Sequence, residues 1–138
     1  MTDPHVKEFQ ASVTRCLESP SFIQDFYDRF TGASGAIREM FRNTDFVHQT
    51  QAMADSLYAM AVAVHGGPDN LARLDMKRLY AKHQRMGIKP EMYDTWLDCL
   101  IATARTHDLQ FSPAIERAWR KCLAPGIESM RTGRPFKT

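Results

Sequence analysis

Of the side chains able to bind a metal or move a proton, His83 has the most informative neighbours among the five histidines of the 138-residue chain. It shares a helical stripe with Met76 and Leu79 and has no acidic residue within a turn to pair with. It also stands just before Gly87-Ile88-Lys89-Pro90, a run that ends a helix. A lone histidine on an apolar face is more often a hydrogen-bonded core residue than a ligand. A neutral imidazole among apolar groups is also what an iron porphyrin takes as an axial ligand, because Nε2 donates to the metal while the flat macrocycle needs apolar walls. On the residues alone both readings stand.

The remaining candidates imply less chemistry. Cys16, Cys99 and Cys122 are odd in number, form no CxxC pair and sit inside helical patterns, so buried thiols in a reducing compartment are expected and no disulfide framework is implied. His65 falls at a helix C-terminus, where the dipole favours a cation. His5, His48 and His107 are expected at the surface.

These residues are carried by helices. Every long segment repeats its apolar residues at helical spacing, and none shows the alternation or β-branched runs of strands, so an all-α domain is expected. The periodicity predicts helices over residues 4–17, 20–30, 36–41, 46–64, 70–86, 90–106 and 113–130. Ser19 is the expected N-cap of the second, with Pro20 at its first position. Thr31 to Gly35 should break it, and the polar run 42–45 should separate the third helix from the fourth. Along the fourth, Gln49, Met53, Leu57, Met60 and Val64 stack on one side, and along the fifth Met76, Leu79, His83 and Met86 do so. Pro125 is expected to kink the last helix.

A chain of this length fits one domain with one core, here residues 1–138, with residues 1–3 and 131–138 read as frayed ends. The 43% hydrophobic and 25% charged shares are those of a globular protein. A net charge of +2, with basic and acidic residues interspersed, argues against nucleic acid as a partner. The acid and proline of Met1-Thr2-Asp3-Pro4-His5 do not suit a signal peptide, and no apolar run reaches a membrane-spanning length, so a cytoplasmic protein without a membrane partner is expected.

The stretch from Ala81 to Tyr93, AKHQRMGIKPEMY, closely resembles the proximal helix and following turn of bacterial flavohaemoglobins and single-domain bacterial haemoglobins. The resemblance implies a globin fold of six to eight helices around haem b, with His83 as the iron ligand. Asp25-Phe26-Tyr27-Asp28-Arg29-Phe30 is similar to the family's second helix, which assigns Tyr27 to the distal pocket. Glu39-Met40-Phe41 matches the segment whose phenylalanine packs flat on the haem. Residues 49–61 match the distal helix, with Gln49 as distal glutamine and Met53 one turn on. Leu79, Ile88 and Tyr93 complete the implied haem contacts. Helical phase agrees with this distal assignment: Gln49 lies about 40° from Met53 around the axis, His48 about 140°.

Two departures from the family follow. The glutamate that makes the proximal histidine anionic through the tyrosine has no counterpart, since its ungapped match falls near Arg134. The chain also stops where the family's reductase domains would begin, and no GxGxxG fingerprint occurs, so redox turnover would need an external reductase. The implied function is reversible binding of oxygen or another diatomic gas (nitric oxide, carbon monoxide), extending to nitric oxide dioxygenation with such a reductase. The alternatives are a haem-based gas sensor acting through partner contacts and a helical interaction module without cofactor.

Overall fold

The computed structural model describes residues 4–63 and 76–132, with side chains for residues 4–61 and 80–132. Among the described residues there are seven helices and no strand: α1 (Pro4–Glu18), α2 (Phe22–Ala33), α3 (Gly35–Met40), α4 (Phe46–Ala63), α5 (Met76–Arg85), α6 (Pro90–His107) and α7 (Pro113–Thr132). Each long helix turns one apolar stripe inward. Phe9, Val13 and Cys16 of α1 and Phe22, Phe26 and Phe30 of α2 are buried at helical spacing, with Leu57 from α4, Leu100, Ile101 and Ala104 from α6, and Trp119 from α7. α1 packs on α7, α4 and α6; α2 packs on α6, α3 and α4; α5 rests on α7.

A polar link runs through this core. The Asp108 side chain, closed off from solvent, accepts from Ser12 Oγ at 2.6 Å, from Arg15 Nε at 2.6 Å and from Arg15 Nη2 at 3.0 Å. Trp119 Nε1 donates to Ser12 Oγ at 2.8 Å, and the indole meets the edge of Phe9 at 5.2 Å. The link thus ties α1, the α6–α7 turn and α7 together. Beside it, burial first and then the Asp108 charge push the Cys16 thiol up to about 12. Cys16 and Cys122 are buried and Cys99 half-buried, and none of the three is in a disulfide.

Several boundaries differ from expectation. α2 starts at Phe22 with Ser21 as N-cap, because Ser19 and Pro20 form a turn in which Phe22 N–H reaches Ser19 O at 3.2 Å. α2 also continues through Gly32 to Ala33. The break is the single residue Ser34, whose extended backbone (φ −157°, ψ 154°) starts α3 and whose hydroxyl accepts from Ile37 N–H. α5 ends at Arg85, which leaves Met86 in the turn and 45% exposed instead of on the buried stripe. α7 passes through Pro125 and reaches Thr132, and Arg131 pairs with Asp94 at 3.2 Å. Val64, His65 and the Gly66-Gly67-Pro68 stop lie outside the described residues, as do Gly133 to Thr138.

His107 is the clearest correction. Expected at the surface, its side chain is only 10% exposed: Nδ1 and Ser19 Oγ are 2.6 Å apart, Nε2 and Asp25 Oδ2 2.6 Å, and the Phe22 ring packs on it at 5.7 Å. The end of α6 is thereby fastened to the α1–α2 corner. His5 is likewise half-buried.

Candidate functional site

α2 carries Tyr27 one residue past the buried Phe26, and the ring is 4% exposed. Phe26, Phe41 and Phe46 surround it with ring centroids at 5.0, 5.7 and 5.6 Å, and Phe41 and Phe46 stack at 6.1 Å. Thr31 Oγ1 donates to the Tyr27 carbonyl at 2.7 Å. The phenol oxygen accepts from Gln49 Nε2 at 2.9 Å. Burial raises the Tyr27 pKa and outweighs the opposing pull of that amide, so the hydroxyl keeps its proton.

The phase of α4 is set at its first turn. Asp45 accepts from Val47 N–H at 3.0 Å, capping the helix, and pairs with His48 Nδ1 at 2.7 Å. His48 is therefore turned to solvent, 89% exposed. Gln49 is half-buried, and one and two turns later Met53 and Leu57 are buried. Phe46, not singled out from the sequence, joins the aromatic group. Its position three residues before Gln49 on the same helix was the available signal.

The residues expected on the proximal side lie on α5, the turn after it and α6. Gly87 takes the left-handed conformation (φ 80°) that favours glycine. Its N–H bonds Gln84 O at 3.1 Å and the Ile88 N–H bonds His83 O at 3.2 Å, which is a Schellman ending. That ending turns Ile88 onto the core, where it is partly buried. It also brings α6 round so that Tyr93 Oη stands 3.4 Å from His83 Nδ1, a long contact. Desolvation, aided by the Lys82 charge, lowers the His83 pKa, so the imidazole is neutral near pH 7 with Nε2 free to donate. The Leu79 side chain lies outside the described residues. Among the described residues no carboxylate bonds His83 or Tyr93: Glu116 is held by Arg105 and Arg120, and Glu128 is exposed.

The sequence profile of the Globin family matches residues 23–129. The chain belongs to the globin family. No curated protein matches this globin. Among solved structures it is similar to a protein of Pseudomonas aeruginosa PAO1 described as structurally highly homologous to a human hemoglobin. The two share 29% identity, with a TM-score of 0.83 over 93% of this chain and 96% of that one. No helix of the described residues is long and apolar enough to cross a membrane.

The donor set of this globin fits haem. Among the described residues no cluster of three or more histidines, cysteines and carboxylates could hold a bare ion. One neutral, half-buried imidazole instead suits a metal that brings its own four equatorial ligands. Phe41, Met53 and Ile88 offer apolar wall, and Tyr27 with Gln49 offers hydrogen-bond donors at a buried position.

Proposed function

We propose that this globin holds haem b through His83 and reversibly binds oxygen or another diatomic gas beside Tyr27 and Gln49. The Tyr27–Gln49 bond carries the reading. With Gln49 donating to the phenol oxygen, the phenol proton is left for another acceptor in the pocket. Ferrous haem, when bound, supplies the bond to the gas and pushes electron density onto it. Everything else falls to the chain. His83 keeps a neutral nitrogen, Tyr93 orients the ring through Nδ1, and Phe41, Met53, Leu79 and Ile88 provide apolar wall that excludes water. The first test is the absorption spectrum of the purified protein, reduced and under carbon monoxide. Failure to take up haem on reconstitution would defeat the reading.

Tyr27→Phe should speed oxygen release and barely change that of carbon monoxide, because oxygen draws more negative charge and accepts a hydrogen bond far better. Such a bond in a dry pocket is worth about 1.5–3 kcal/mol, roughly one to two orders of magnitude in the dissociation rate. Gln49 can donate in its place, so the double change with Gln49→Leu should exceed either single one. Stopped-flow oxygen release within about twofold of the parent, less than ~0.5 kcal/mol, would make Tyr27 a plain core aromatic.

Tyr93 can turn the His83 ring but carries no negative charge, since burial raises its pKa. The ferrous iron–histidine stretching frequency should therefore lie below that of peroxidases, and peroxidase activity should be weak. A peroxidase-like frequency would mean that a carboxylate reaches the pair. Nitric oxide dioxygenation is an extension of the same reading. It requires that the oxygenated protein, given an external reductase, consume nitric oxide, and that His83→Ala abolish the consumption.

A further inference from the structure

Along α2, Gln24, Tyr27, Asp28 and Thr31 stand at helical spacing on one stripe that runs from the exposed Gln24 and Asp28 to the buried Tyr27. Together with Phe46, the first residue of α4, they line a cavity of about 340 Å³. Its buried side is made by Tyr27 itself and by Phe46, one of the rings packed around it. Phe46 faces both ways, packing on Tyr27 at 5.6 Å and stacking on Phe41 at 6.1 Å. Because it is the first residue of its helix, its N–H has no partner within that helix. The mouth is polar. Gln24 and Asp28 are exposed, and the Asp28 carboxylate accepts from Gln24 Nε2 at 2.9 Å with no cation paired to it among the described residues.

From this we infer that the cavity is the way in for an uncharged diatomic gas, with the Phe46 ring as the partition it must pass and the Asp28 carboxylate as a barrier to anions. The inference rests on the gas-binding reading above and adds which ligands reach the pocket and by what path. A neutral molecule pays no electrostatic penalty at the mouth. An anion approaching an uncompensated carboxylate at several ångströms meets a repulsion that salt screens.

The test uses haem-loaded protein and flash photolysis. Gln24→Trp fills the mouth without touching the haem side and should slow carbon monoxide association several-fold. Oxygen association and dissociation should fall by one common factor, leaving affinity unchanged, because a route alters both directions equally. Asp28→Asn should speed azide association with the ferric protein by about threefold at low ionic strength, an effect lost in high salt, and leave carbon monoxide unchanged. Xenon contacts at Thr31 in nuclear magnetic resonance spectra should be present in the parent and absent in Gln24→Trp. An unchanged carbon monoxide rate in Gln24→Trp overturns the route, as does slower association without slower release. Equal azide rates in Asp28→Asn and parent overturn the anion barrier. A chain that takes up no haem defeats the gas-binding reading instead, and the xenon contacts then still decide whether the cavity admits an apolar gas.

Discussion

Replacing His83 with alanine should abolish stoichiometric haem uptake while leaving the helical fold in place. Among the described residues of the site the imidazole is the one neutral nitrogen with a lone pair for a metal, and loss of a protein–iron bond is not made good by apolar walls. The fold should survive because the side chain is only half-buried and, among the described residues, its one polar contact, to Tyr93 at 3.4 Å, is long. The α5 ending depends on the backbone bonds of Gly87 and Ile88, which the substitution does not touch. Haem titration read beside circular dichroism separates the two effects, and added imidazole should restore part of the uptake. A variant that still gave a five-coordinate ferrous histidine spectrum would remove His83 from the role. His48→Ala is the control. Its ring points to solvent with Asp45 as partner, so haem uptake there should equal the parent's.

The second large effect concerns stability. Asp108→Asn should cost about 3 kcal/mol, the lower end for breaking a buried ion pair from one side, since Arg15 keeps some access to water. Against a total of roughly 5–15 kcal/mol for a domain, that is a substantial part. It should appear as a lower urea midpoint with unchanged slope. The same group predicts a pH dependence. Burial alone would raise the Asp108 pKa, but the bonds from Arg15 and Ser12 outweigh it and hold the carboxyl below its ordinary value of 3.8. The folded state therefore prefers the ionised form. Its contribution is complete above the ordinary carboxylate range and is lost as pH falls toward the depressed folded value. The parent should lose stability steeply on acidification below about pH 4, and Asp108→Asn should lose less over the same interval. Parallel acid profiles for the two proteins would show that other carboxylates govern acid unfolding.

How far the sequence could be read depended on the range of the interactions. Helices were legible because burial of one stripe is a local rule, visible in Phe22, Phe26 and Phe30 without knowing what they pack against. The phase of α4 was legible for the same reason, and His48 and Gln49 face as the angles demand. Partnerships between distant polar residues were not. Nothing periodic marks Ser12, Asp108 and Trp119 as one group, and His107 looks like any helix-end histidine until Ser19 and Asp25 close on it from another corner. Turn chemistry sat between these cases. The Gly87 ending could be foreseen because only glycine takes that conformation freely. Ser34 could not, because glycines on both sides of it suggested a longer break.

Cys16 makes the protein its own clock for opening. With its thiol held near 12, only about one molecule in 10⁵ is ionised at pH 7, and the sulfur is shut away in the packing of α1. A thiol reagent can therefore reach it only when α1 lifts from the bundle. The rate at which Cys16 is labelled under native conditions then reports how often that happens, while half-buried Cys99 in the same tube marks the smaller excursions that leave α1 seated.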